Sequence, residues 1–133
     1  MPGQARLADL KPCADFSVRE ADYLLALREL TRGQAPPTQA ALARFMGVSA
    51  PTTLEMVRRL RRLGLLEPDR LALTNEGTSA ALVLASRRRA AHLLTHDVLG
   101  LEGQGANAEA DSLAPHLSPK LTRRLIAGRP PRP

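Results

Sequence analysis

Two helix-forming stretches with almost nothing between them constrain this chain more than any other feature of its sequence. The stretch "TQAALARFMG" opens on Thr38 as a cap and carries Ala41, Leu42 and Phe45 as an apolar face. It closes on Gly47. The stretch "SAPTTLEMVRRLRRLG" opens on Ser49 as a cap, has Pro51 in its first turn, and runs to Leu63 with Gly64 as its stop. Only Gly47 and Val48 separate the two. A connection this short makes the two helices cross steeply. The period then changes. "LLEPDRLALT" alternates around Pro68, Asp69 and Arg70, which predicts two short strands in a hairpin.

The flanks extend the pattern. "SVRE" at Ser17–Glu20 is a capping box, and Tyr23, Leu24, Leu27 and Leu30 follow at helical spacing up to Gly33. Thr74 caps a long helix expected over Asn75–Leu99, with apolar Ala81, Leu82, Leu84, Ala85, Ala91, Leu94, Val98 and Leu99. That is more apolar surface than one small lobe needs. "GLEGQGAN" breaks the chain, a short helix is expected over 107–114, and Ser118 with Pro119 starts another that ends at Gly128. The expected organisation is a flexible arm (1–15), a winged helix-turn-helix (16–76), a linker helix with a helical lobe (77–128) and a tail (129–133). The fold class is mainly α.

Composition narrows the function. Of 133 residues, 44% are hydrophobic and 2% aromatic, which favours Leu- and Ala-packed helices over a β-sandwich. The formal net charge of +6 points to a polyanionic partner. The lone Cys13 makes no internal disulfide and suits a reducing cytoplasm, the expected location. No apolar run approaches a membrane span. No Gly-rich phosphate loop, HExxH motif or nucleophile with a nearby His motif suggests an enzyme.

In a winged helix-turn-helix the second helix of the pair enters the major groove of double-stranded DNA, and the wing reaches the flanking backbone. On the helix from Ser49, the residues Thr53, Met56, Val57 and Leu60 share the inward face. Ala50, Pro51, Thr52, Leu54, Glu55, Arg58 and Arg62 face outward. Small residues at the helix start let the backbone approach the groove. Thr52 can bond a phosphate or base edge, Leu54 a thymine methyl, and Glu55 a cytosine amino group. Arg58, Arg59, Arg61 and Arg62 fall where phosphates run, and Arg70 is the wing arginine. Ser49, with Thr38 and Gln39 at the preceding helix start, completes the expected DNA-binding set. The alternative is a winged-helix module that binds protein and no longer reads DNA.

The strings "ADYLLALREL", "VSAPTTLEMVRRLRRLGLLE", "LTNEGTSAA" and "HLSPKL", in this order and spacing, resemble the diphtheria toxin repressor family of iron- and manganese-dependent repressors. The likeness runs from Glu20 to Leu125 and is greater to the short manganese-regulator branch, which lacks an SH3-like domain. It implies a homodimer reading a pseudo-palindromic operator, and Mn2+ or Fe2+ as cofactor. The metal ligands it carries over are Asp22, His92 and Asp111. Other positions depart from the family pattern. Leu25 stands at a further ligand position of the manganese branch, and Arg88 at a ligand histidine. Ala114 and Pro115 replace a Glu–His pair, with His116 one residue beyond. A guanidinium at Arg88 can pair with Asp22 or Asp111 in the metal's place, so the expectation is a repressor whose metal response is altered or lost. His92 and His96 are spaced to share a helix face, usable for a ligand pair or a pH response.

Overall fold

The computed structural model describes residues 16–33 and 36–128. Cys13, the arm at 1–15 and the tail at 129–133 lie outside the described residues. The chain divides into two compact units, with the boundary between Ala81 and Leu82, whereas the sequence reading put a domain boundary at 76/77.

The first unit begins with α1 (Val18–Thr31), α2 (Gln39–Met46) and α3 (Ala50–Arg62). The capping box of α1 is complete. Ser17 Oγ accepts from the Glu20 amide at 3.1 Å, and Glu20 Oε1 accepts from the Ser17 amide at 2.8 Å. Thr38 caps α2 by accepting from the Ala41 amide at 3.0 Å. Gly47 then takes φ +69, a left-handed conformation that costs glycine no Cβ clash. That turn lets α3 start at once. Leu24, Leu27, Leu42, Val57 and Leu60 are fully buried where the three helices meet. Each such side chain contributes about 1.5–3 kcal/mol of burial.

Phe45 departs from the expected apolar face of α2, being 54% exposed. The inward face of α2 is set by Leu42 and Ala43, and at about 100° per residue Phe45 stands about 110° from its centre.

The expected hairpin contracts to one antiparallel bridge, Leu66 to Leu73. The Glu67 amide donates to Ala72 O at 2.8 Å and the Thr74 amide to Leu65 O at 3.1 Å. Pro68 follows directly and has no N–H to extend the ladder. The connection keeps its place and direction but forms no strand of regular length.

The helix α4 (Asn75–His92) starts in the first unit and ends in the second. It continues as a π turn over Leu93–Val98, which replaces the last part of the expected uninterrupted helix. Within it the Thr95 hydroxyl donates to the Ala91 carbonyl at 3.0 Å. The Leu99 amide reaches back five residues to Leu94 O at 2.9 Å, the bond that defines a π turn.

In the second unit, α5 (Gly103–Leu113) leads through a single 3-10 turn at Ala114–His116 to α6 (Pro119–Ala127). The helix α5 begins earlier than the expected 107–114. Burial of Ala106 and Ala110 outweighs the poor helix propensity of Gly103 and Gly105. The core here is Ala90, Ala91, Ala110, Ala114 and Leu117, with Leu113, Leu125 and Ile126 packed against it. Among the described residues no helix is long and apolar enough to cross a membrane.

Candidate nucleic-acid interface

The buried stripe of α3 is Thr53, Val57 and Leu60, so the opposite side of the helix faces solvent. Ala50, Pro51, Glu55, Arg58 and Arg62 are exposed, and Thr52 and Leu54 are half-buried. Small side chains at the start and arginines toward the end thus form one continuous outward strip. Ser49 caps the helix by accepting from the Thr52 amide at 3.3 Å, and its hydroxyl donates to Thr52 Oγ1 at 2.9 Å. The Thr52 hydroxyl is therefore held in place with its own proton still available to a ligand. Thr38 and Gln39 sit at the start of α2, with Thr38 exposed and Gln39 half-buried. Arg70 is exposed at the tip of the bridged segment.

The four arginines at the end of α3 are not equivalent. Arg58 and Arg62 are exposed, without an ion-pair partner among the described residues. Arg61 is half-buried, and its Nε donates to the Glu67 carbonyl at 2.9 Å. This bond ties α3 to the bridged segment. Arg59 donates through Nε to Glu20 Oε2 at 2.8 Å while staying 57% exposed. Glu20 is itself 5% exposed. The Ser17 amide, with help from the Arg59 guanidinium and the Ser17 hydroxyl, holds its carboxyl below the ordinary value against the opposing effect of burial. Residues 20 and 59 are 39 apart in the chain, so this pair had no local signal in the sequence.

The expected metal ligands divide between the units. Asp22 lies half-buried on α1 in the first. In the second, His92 Nε2 lies 3.3 Å from Asp111 Oδ1, and Arg88 Nε lies 3.7 Å from the same oxygen. Of the two partners expected for Arg88, Asp22 or Asp111, Asp111 is in ion-pair range of it. The His92 and His96 rings stack with centroids 5.5 Å apart, and His96 Nε2 lies 3.0 Å from Asn107 Oδ1. This polar ladder joins α4 and the π turn to α5, and sequence reasoning missed Asn107 in it. Its charged groups are about half exposed, which limits such a pair to roughly 0–1 kcal/mol.

Among the described residues no group of three or more His, Cys, Asp or Glu side chains is placed to hold a metal ion. A manganese or iron ion needs several oxygen and imidazole donors in one shell. The second unit offers His92 and Asp111 with a guanidinium already on the carboxylate, a donor set that does not fit a resident ion.

Residues 15–70 match the family described as iron dependent repressor, N-terminal DNA binding domain. The diphtheria toxin repressor of Corynebacterium glutamicum is 34% identical over 107 residues, covering 78% of this chain and 47% of that protein. The iron-dependent repressor IdeR of Mycobacterium bovis is 34% identical over 78% of this chain and 46% of its own length. The chain spans about half the length of the curated relatives it matches. Among solved structures, a manganese-dependent transcriptional repressor in complex with manganese superposes with a TM-score of 0.67 at 30% identity, over 81% of this chain and 51% of that one. The metal-dependent transcriptional regulator MtsR superposes at 0.71 with 25% identity, over 81% and 52% of the respective chains.

Proposed function

Because the chain is a relative of the diphtheria toxin repressors, with an iron-dependent-repressor DNA-binding domain at residues 15–70, we propose that it is a sequence-specific, double-stranded-DNA-binding transcriptional repressor. The observation that carries this reading is the outward strip of α3. Small residues and a held Thr52 hydroxyl stand at the helix start, with Glu55, Arg58 and Arg62 beyond them. Thr52, Leu54 and Glu55 read base edges, while Arg58, Arg59, Arg62 and Arg70 hold phosphates. Thr38, Gln39, Ser49, Ala50 and Pro51 complete the surface that enters or borders the groove. The protein acts by binding, not by catalysis.

The active species is a homodimer on a pseudo-palindromic operator, joined through the second unit. Val98, Leu99, Leu101 and Leu121 of that unit are between 44% and 60% exposed. The response to Mn2+ or Fe2+ that the relatives' names carry is altered in this chain. Asp22, His92 and Asp111 are the donors that remain of it, and Arg88 supplies a fixed positive charge beside Asp111.

Chelator-treated protein mixed with random genomic fragments, with and without manganese, tests both statements. Palindromic fragments enriched without metal are expected. Enrichment only with manganese would restore a metal switch. No enrichment in either arm would leave the protein-binding reading.

A further inference from the structure

A cleft of about 320 Å³ opens between α1 and α3 in the first unit, lined by Ser17, Arg19, Tyr23, Thr52, Glu55, Met56, Arg59 and Arg62. It borders the interface described above, but Arg19 and Tyr23 have no role there. Tyr23 is 3% exposed, and its hydroxyl is buried without a hydrogen-bond partner among the described residues. An orphaned buried hydroxyl is costly, so it marks a place where a polar group is expected.

One hydroxyl at the rim of the cleft offers the same polarity: Thr52 Oγ1 accepts from Ser49, so its own O–H remains to donate. The Ser17 hydroxyl is already engaged, its Oγ accepting from the Glu20 amide and its O–H turned to the Glu20 carboxyl. Three guanidiniums line the cleft with it, against two carboxylates, Glu55 in the lining and Glu20 bound to Arg59, which leaves one positive charge in excess. Glu20 binds Arg59 through Nε, which positions that side chain and leaves its terminal nitrogens for a second, bidentate partner. So many donors exceed what one carboxylate can accept, whereas a phosphate group presents more oxygens to them.

We propose that the α1–α3 cleft is a seat for one phosphate group, held by Arg19, Arg59 and Arg62 with the Tyr23 hydroxyl at its floor. The phosphate comes either from a DNA backbone, which rests on the DNA-binding reading above, or from a free phosphate ester. A single buried water, the simpler occupant for Tyr23, gives no reason for the guanidiniums around it.

The test is a titration of the full chain with inorganic phosphate, read by NMR at the arginine side chains and the Tyr23 ring. Saturable shifts at Arg19, Arg59, Arg62 and Tyr23 are expected. Arg19→Ala should weaken phosphate binding about tenfold or more, and Tyr23→Phe about fivefold. Tyr23→Phe should leave thermal stability unchanged or raise it, since the hydroxyl it removes has no partner among the described residues. Non-saturable shifts, or a Tyr23→Phe variant that loses stability with phosphate affinity intact, would overturn the proposal in favour of the water.

Duplex DNA then identifies the source. If Arg19→Ala lowers the salt slope of DNA binding by about one unit, the seat takes a backbone phosphate. If the slope is unchanged while inorganic phosphate is lost, the seat takes a free ester. If no form of the protein binds DNA yet inorganic phosphate still saturates, the DNA-binding reading fails and the seat stands.

Discussion

Single residues decide how the first unit closes. Gly77 lies in the first turn of α4, buried against the backbone of Leu65. A Cβ there would meet the Leu65 carbonyl oxygen well inside van der Waals contact, with the Leu73 side chain at 3.2 Å behind it. That carbonyl also accepts from the Thr74 amide, so it cannot move freely. Gly77→Ala should therefore cost about 1–3 kcal/mol in urea unfolding, against the gain alanine usually brings to a helix. Glu20 supplies a pH dependence. Its folded-state carboxyl titrates below the unfolded value, so its stabilisation is full above the unfolded pKa and is lost as pH falls through the folded one. Unfolding measured from neutral to acid pH should show stability falling through the carboxylate range. Glu20→Gln should flatten that fall, and an equally steep fall in the variant would assign it to other carboxylates. The capping box of Glu20 was legible in "SVRE" because capping is local. Its bond to Arg59 was not, because only the fold brings the two helices together.

At the scale of elements, α3 separates stability from recognition along one helix. Thr52→Ala or Glu55→Ala should change which sequences bind best, by about 1–3 kcal/mol at one base position, in competition assays against a library of operator variants. Unchanged ranking would remove those side chains from base readout. Arg58→Ala and Arg70→Ala should weaken all sequences alike and lower the salt slope by about one unit each. Arg61→Ala should instead lower stability by about 1 kcal/mol with the slope intact, because its Nε holds the Glu67 carbonyl. The stops at Gly47 and Gly64 and the inward stripe of α3 were readable, since caps and a 3.6-residue period are written in neighbouring positions. The bridged segment, the early start of α5 and the π turn were less so. The first two depend on competing effects, the missing amide of Pro68 and the burial of Ala106, and the π turn on five-residue bonds such as Leu99 amide to Leu94 O that no local pattern marks.

The whole molecule is shaped by an asymmetry between its two cores. The first buries leucines, whereas the core of the second consists largely of alanine methyl groups. Alanines let helices approach closely but remove little apolar surface from water. The larger apolar side chains of that unit lie outside: Leu99 is 60% exposed and Leu121 53%. The two belong to neighbouring elements, because α6 packs against the π turn that Leu99 ends. A second copy of the chain can bury them, which a twofold interface does twice over for each residue. Losing about 1.5–3 kcal/mol at each of two equivalent positions weakens a dimer by at least about a hundredfold. Leu99→Glu and Leu121→Glu should therefore sediment as monomers at concentrations where the parent chain is a dimer, with the helical circular dichroism unchanged. Both should also lose tight binding to a two-half-site operator while keeping the weak, salt-dependent binding of a single first unit. If the variants stay dimeric, the interface lies elsewhere, and the exposed leucines need another partner.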